Sequence, residues 1–267
     1  MNEPASLSKP KIAVLAAFSY TAIMGIAMFY MKTFRGITYG APEMMTVFWI
    51  VLLGLNLLTV FWVTRFFSWQ EIGFRSLNRK QLLWFLPSII LLIAMWVICL
   101  SGFGQTSLSG AQWKLFGLAG FTTLLVGIGE ETMYRGIVLH GFLTTGRVRW
   151  AMFVSAIAFS LLHAVNVFGG MALLNVPMQL IMTFLFGFLL APLMLKLNNI
   201  VPLILFHWLW DFVLFAAPLL GEQTNAAVIA IAFLHIPIEI VVGTVLWLQA
   251  KQVPEQATAP LPRPAHS

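Results

Sequence analysis

Eight long apolar runs, separated by short polar segments, constrain this chain more than any other feature of its sequence. A helix needs about 20 predominantly apolar residues to cross the hydrocarbon core of a bilayer, and most of these runs approach that length. We therefore predict an all-α fold, a polytopic membrane bundle of about eight transmembrane helices. The predicted spans cover residues 12–31, 44–63, 82–100, 115–128 with the polar stretch that follows, 150–163, 178–195, 200–215 and 226–248.

The composition supports the same class. The chain has 267 residues, of which 60% are hydrophobic and only 9% are charged, whereas soluble globular proteins carry about 25% charged residues. The single cysteine, Cys99, excludes an intramolecular disulfide and a cysteine-based zinc site. The formal net charge of +6 comes from lysines and arginines spread over the loops. We expect anionic lipid headgroups, and not nucleic acid, to be their partner.

The basic residues are concentrated on one side of the predicted spans. If the N-terminus is cytoplasmic, only Lys32, Arg35 and Lys114 lie on the opposite side. Cytoplasmic loops of membrane proteins carry the excess of lysine and arginine. We therefore predict an integral protein of the cell's inner or plasma membrane with both termini in the cytoplasm. The cytoplasmic set is then Lys9, Lys11, Arg65, Arg75, Arg79, Lys80, Arg135, Arg147, Arg149, Lys196, Lys251 and Arg263.

The spans predict a single membrane-embedded domain over residues 1–252. Within it, residues 66–81, FFSWQEIGFRSLNRKQ, mix aromatic and charged side chains in a way that is typical of an interfacial amphipathic segment. Residues 253–267 are rich in proline and are predicted to form a disordered cytoplasmic tail.

The stretch GEETMYRG, residues 129–136, places three ionisable side chains directly after an apolar run. Such residues inside a span are costly and are functional candidates by default. Glu131 and Arg135 lie four positions apart, so they share a helix face and can pair, whereas Glu130 points about 100° away. Because Arg135 cannot serve both carboxylates equally, the two glutamates should differ in environment, which suits acid–base work. An ion-paired helix end at the membrane interface is the alternative interpretation.

Two further spans carry polar groups at helical spacing. Phe159 and His163 share one helix face, and His207 and Asp211 share another. An aspartate beside a histidine can fix its tautomer and orientation, or the two can bind a metal together. Because three separate helices offer polar groups to a shared interior, we predict a catalytic or ion-handling centre.

The last span has its own pair of ionisable residues. His235 and Glu239 are four positions apart, and Pro237 between them is expected to kink the helix. We interpret them as a satisfied buried pair, with a supporting role at the centre as the alternative.

Taken in order, the three motifs resemble those of the CAAX protease and bacteriocin-processing (CPBP) family. This family is also called the abortive-infection family, and it includes the type II CAAX prenyl endopeptidases. The segment EIGFR, residues 71–75, resembles a short segment that these proteins often carry before a transmembrane helix. The motifs that carry the resemblance are Glu130-Glu131-x-x-x-Arg135, Phe159-x-x-x-His163 and His207-x-x-x-Asp211.

The resemblance implies a glutamic-type intramembrane endopeptidase. Its substrate would be delivered in the membrane, as a lipidated CAAX-like C-terminus, a bacteriocin-type peptide or a segment of a membrane protein. Carried over position by position, Glu130 matches the general base, which acts with His163 on a water molecule. His207 and Asp211 match the pair that stabilises the oxyanion, and the supporting positions are Glu131, Arg135 and Phe159.

One position departs from the family pattern. Asp211 stands where the family often has asparagine, and an ionised aspartate cannot donate a hydrogen bond. Asp211 is therefore expected to be protonated, to orient His207 or to bind a metal. A zinc-dependent version of the protease would use Glu130, His163 and His207 as ligands with one open position. We favour the metal-free mechanism and expect no cofactor.

Two other classes of function stay open from the sequence. A non-enzymatic immunity or scaffold protein would keep the fold and bind a partner within the membrane. A proton-coupled transporter would use Glu130, Glu131, Asp211 and Glu239 as relays. Transporters commonly show paired halves, and no such internal symmetry is visible in this sequence.

Overall fold

A computed structural model describes residues 7–250, and these residues form helices and connecting turns without any strand. The predicted all-α membrane bundle is confirmed. The helices are α1 (Lys9–Arg35), α2 (Met45–Phe66), α3 (Leu86–Gly102), α4 (Gly110–Glu131), α5 (Leu139–Leu143), α6 (Val148–Leu162), α7 (Val176–Leu197), α8 (Val201–Ala216), α9 (Glu222–Phe233) and α10 (His235–Gln249).

Every predicted span corresponds to a helical segment. Seven segments of the described chain are long and apolar enough to cross a membrane. The remaining predicted span is α3, which has 17 residues and lies at the short end of the range for a spanning helix. α4 and α5 are joined by a π-helix over Thr132–Val138 into one segment, Gly110–Leu143. Consecutive spans therefore run in alternating directions.

Close helix contacts depend on small residues, as is usual in membrane bundles. Gly127 of α4 lies against the backbone of α8, where an added Cβ would stand 2.9 Å from the carbonyl oxygen of Ile204. Gly187 of α7 packs in the same way against Ala156 of α6. Large apolar side chains on the outer faces are exposed, among them Phe18 and Leu57, which suits contact with lipid.

The last span is broken between α9 and α10 at Leu234. Pro237 lies in the first turn of α10, where its missing N–H leaves no intrahelical hydrogen bond unmade. The kink expected near Pro237 thus takes the form of a new helix start.

Residues 66–81 form the end of α2, a series of turns and the beginning of a 3₁₀ helix over Arg79–Trp84. Ile72 is fully buried, and Gly73 has a φ of 109°, a conformation that favours glycine. The segment packs across one end of the bundle, and its interfacial position in the membrane stays a prediction. The predicted tail, residues 253–267, lies outside the described residues.

Candidate active site

The stretch GEETMYRG lies where α4 changes into the π-helix. α4 ends at Glu131 and the π-helix begins at Thr132; such segments are rare and occur frequently at functional sites. Gly136 packs tightly here, since an added Cβ would lie 3.3 Å from the Cβ atom of Ile72. His140 Nδ1 lies 2.9 Å from the Gly136 carbonyl oxygen, so its N–H can satisfy a carbonyl group of the widened turn.

Glu131 connects two motifs. Its side chain is completely buried, and Oε1 accepts hydrogen bonds from Arg135 Nη1 at 3.0 Å and from His207 Nδ1 at 2.7 Å. The pairing with Arg135 is the one expected from the four-residue spacing. The contact with His207 links α4 to α8, and it fixes the ring of His207 from the nitrogen that faces away from Asp211.

Phe159 stacks on the buried guanidinium group. Arg135 Cζ lies 4.0 Å from the centroid of the Phe159 ring, a geometry that stabilises a cation on an aromatic face. Arg135 Nε and Nη2 have no hydrogen-bond partner among the described residues. The ring face of Phe159 therefore stabilises this side of the guanidinium cation. The same ring lies 5.0 Å from His163 and 5.8 Å from His207, measured between centroids.

His163 is oriented by its own helix. Its Nδ1 lies 3.0 Å from the carbonyl oxygen of Phe159, one turn earlier. A carbonyl oxygen only accepts hydrogen bonds, so Nδ1 carries the proton. In the neutral ring Nε2 is then the unprotonated nitrogen, able to accept a hydrogen bond from water.

His207 and Asp211 approach each other less closely than the spacing suggested. His207 Nε2 lies 3.5 Å from Asp211 Oδ2, longer than an ordinary hydrogen bond between these atom types. Asp211 is also partly exposed, with 25% of its side-chain surface accessible. Glu131 is therefore the closer partner of His207, and His207 Nε2 is left free to turn towards a third group.

Glu130 differs sharply from its neighbour. It is 5% exposed, and its Oε2 atom is buried without a hydrogen-bond partner among the described residues. The hydroxyl group of Tyr20 packs against Gly129, one residue earlier, and it too lacks a partner in this part of the chain. A buried carboxylate oxygen without a partner among residues 7–250 is costly, and such groups are frequent where a substrate or water is handled.

The four residues expected at the chemical centre line one cavity of about 580 Å³. Glu130 contributes from α4, His163 from the turn after α6, and His207 and Asp211 from α8. The volume is typical of a ligand pocket and is large enough for several residues of a peptide. The spacing of three motifs on three helices thus corresponds to a single site.

Uncharged polar side chains, which the sequence analysis did not single out, form part of the cavity wall. Gln179 Nε2 donates to the Tyr39 hydroxyl group at 2.9 Å, and Asn166 Nδ2 donates to Gln179 Oε1 at 3.0 Å. All three residues line the cavity. Gln179 at the start of a span and Asn166 three residues after His163 were the signals in the sequence that could have revealed this chain of side chains.

The zinc alternative requires Glu130, His163 and His207 to converge on one point. Among residues 7–250, no group of three His, Cys, Asp or Glu side chains is arranged to hold a metal ion. Both ring nitrogens of His207 also face carboxylates, so the ring would have to leave one of them to bind zinc. The arrangement described here does not fit a zinc site.

His235 and Glu239 form a separate network. His235 Nδ1 lies 2.9 Å from Glu239 Oε1, and His235 Nε2 lies 2.8 Å from Ser88 Oγ. The order serine–histidine–carboxylate is that of a serine hydrolase triad. Ser88 is completely buried, however, and only Glu239 of the three lines the cavity. The network joins α3 to α10, in agreement with the buried pair expected from the sequence.

Comparison with known proteins supports the family resemblance. Residues 112–213 match the family model described as type II CAAX prenyl endopeptidase Rce1-like. This region contains all seven motif residues, from Glu130 to Asp211, and it excludes the EIGFR segment and the pair in α10. No curated protein and no solved structure matches the chain.

Proposed function

We propose that the chain is an endopeptidase of the kind that residues 112–213 resemble, the Rce1-like type II CAAX prenyl endopeptidases, and that Glu130 and His163 activate the hydrolytic water. The observation that carries the proposal is the contrast between the two glutamates. The Oε2 atoms of both glutamates lack a partner among residues 7–250. Oε1 of Glu131 is held by Arg135 and His207, whereas Glu130 makes no side-chain hydrogen bond within the described residues and lines the cavity.

In the proposed reaction, Glu130 accepts a proton from water while His163 Nε2 holds the water's second hydrogen. The oxygen attacks the carbonyl carbon of the scissile peptide bond, and the carbonyl oxygen becomes an oxyanion. The C–N bond then breaks, and protonated Glu130 returns its proton to the leaving amine. A base performs this work when it reaches its water at about 2.6–3.2 Å.

His207 is the proposed oxyanion donor. Its Nδ1–H donates to Glu131, and its Nε2 lies 3.5 Å from Asp211. The proposal therefore requires His207 to be doubly protonated between these two carboxylates, since only the imidazolium ring carries a second N–H, on Nε2, that can donate a hydrogen bond to the developing oxyanion. One such donor lowers a barrier by about 2.7–4 kcal/mol. Asp211 is proposed to orient this ring, which requires no hydrogen-bond donor where the family often has asparagine.

The first experiment compares purified wild-type protein with Glu130→Gln, His163→Ala and the exposed control Glu43→Gln. Two quenched fluorescent peptides serve as probes, one with a farnesylated CAAX C-terminus and one with the same sequence unmodified. We expect cleavage to be lost in the first two variants and kept in the control. Wild-type rates in Glu130→Gln would contradict the assignment of the base, and a phenotype in cells that survives this substitution would favour a scaffold role.

Whether the peptidase depends on zinc is tested by a separate measurement. The zinc content of the purified protein and its cleavage rate in a chelator distinguish the two mechanisms. We expect full activity after exhaustive chelation, since Glu130 and His163 suffice as the activating pair. Loss of activity that returns when zinc is added back would support the zinc-dependent protease.

A further inference from the structure

The cavity occupies only one half of the bundle. We call the end of the bundle that carries residues 67–85 and the start of α1 the first end, and the end that carries residues 36–41 the second end. Most lining residues lie late in the helices that run towards the second end and early in those that run away from it, whereas α4 contributes Thr123, Val126 and Glu130 from its second half. The lining residues include Met28, Tyr39, Met44, Asn166, Gln179 and Asn225.

Towards the first end the bundle is filled by side chains. Tyr20, Glu131, Tyr134 and Arg135 are all completely buried between the cavity and this end. Ile72, from the connection between α2 and α3, packs on Gly136 above them. No residue of the connection over 67–85 lines the cavity. A substrate that arrived from the first end would have to displace this packed layer.

The second end offers an entrance with polar groups. Gly40 and Asn225 line the cavity here, together with the hydrogen-bonded chain of Tyr39, Gln179 and Asn166. Amide and hydroxyl groups can exchange hydrogen bonds with a peptide backbone, which an apolar wall cannot. The entrance therefore suits a hydrated peptide segment and the water that hydrolysis consumes.

The charges assign the two ends to opposite sides of the membrane. Within the described residues the first end carries nine basic residues. Arg135 is buried and paired with Glu131, so it is left out of this comparison of basic residues at the two ends. The second end carries three basic residues. By the positive-inside rule the first end is cytoplasmic. The nine are Lys9, Lys11, Arg65, Arg75, Arg79, Lys80, Arg147, Arg149 and Lys196.

We propose that the cavity opens on the non-cytoplasmic face of the membrane. The substrates would then be peptide segments presented on that face, such as an exported peptide or the outer flank of a transmembrane helix. A lipidated C-terminus in the cytoplasm would meet the sealed end. The direction of the opening follows from packing and charge, while the identity of what enters rests on the proposed peptidase function.

Single cysteines test the direction of the opening. Cys99 is the only cysteine and is buried, so a Cys99→Ser chain is a suitable background. Asn225→Cys reports on the entrance, Glu43→Cys on the exposed surface at the same end, and Ser76→Cys on the opposite end. Spheroplasts and inside-out vesicles are treated with the impermeant reagent MTSET. We expect the first two variants to react only in spheroplasts and Ser76→Cys only in inside-out vesicles; the reverse pattern would overturn the proposal.

Cleavage from one side tests the substrate class. An impermeant quenched peptide is added either outside spheroplasts or outside inside-out vesicles. We expect cleavage only in spheroplasts, and we expect MTSET treatment of Asn225→Cys to remove it. Cleavage only in inside-out vesicles would overturn the proposal. Absence of cleavage on both sides and in detergent would instead count against the peptidase function, while the labelling result would still decide the direction of the opening.

Discussion

Replacing either of the two adjacent glutamates by glutamine should change the stability of the protein in opposite directions. Glu131→Gln keeps the shape of the side chain but removes the charge that faces Arg135 and His207, at 3.0 and 2.7 Å, in a fully buried place. Removing one partner of a buried ion pair costs about 3–5 kcal/mol, because the charge of the other partner is left uncompensated. For a chain of this size that corresponds to a fall in melting temperature of roughly 10 °C.

Glu130→Gln is the matched control. The Oε2 atom of Glu130 has no protein partner in residues 7–250, so the substitution removes an unsatisfied charge and breaks no known hydrogen bond. Unsatisfied buried groups cost about 1–3 kcal/mol. We therefore expect Glu130→Gln to melt at or above the wild-type temperature while its peptidase activity is lost.

The assay is thermal unfolding in detergent with a fluorogenic thiol dye. The dye reports unfolding cleanly because the only cysteine, Cys99, is buried in α3. Adding Arg135→Met to Glu131→Gln should restore part of the lost stability, since the uncompensated guanidinium charge is then removed. Equal melting temperatures for the two single glutamine variants would refute the division between a structural and a free carboxylate.

Three further predictions concern residues around the site. Phe159→Leu should lower stability by about 2 kcal/mol through the lost cation–π contact, measured in the same melting assay, and should slow cleavage. Gly127→Val should reduce cleavage because the added side chain separates α4 from α8, whereas Gly117→Val, which has free space, should leave the rate unchanged. Ser88→Ala should cost about 1 kcal/mol of stability from the hydrogen bond to His235 but keep full activity; loss of cleavage there would point to a serine nucleophile.

The sequence predicted the fold well because its signal is physical and local. Long apolar runs have few alternatives to membrane spans, and each of the eight corresponds to a helical segment. The interruption inside the last span was not predicted. The break at Leu234 could not be read from hydropathy, since the residues on both sides of it are apolar.

Within the site, helical spacing predicted contacts inside one helix better than contacts between helices. The pair Glu131–Arg135 forms as expected, because positions four apart share a face whatever surrounds them. The bond from Glu131 to His207 joins residues 76 positions apart in the sequence, and no periodicity encodes it. The same limit applies to Phe159, whose stacking on Arg135 depends on how α6 packs against the π-helix.

The EIGFR segment acquires a structural role from these packing contacts. Gly73 accepts a hydrogen bond at 2.9 Å from the backbone N–H of Ile200, and the side chain of Arg75 contacts Asn198 at 3.3 Å. Both partners lie in the short connection that precedes α8. α8 begins at Val201 and carries His207 less than two turns later, so the segment fixes the start of this helix and hence the depth of its histidine. A segment distant from the cavity thereby helps to set the distance between His207 and the carboxylate of Glu131.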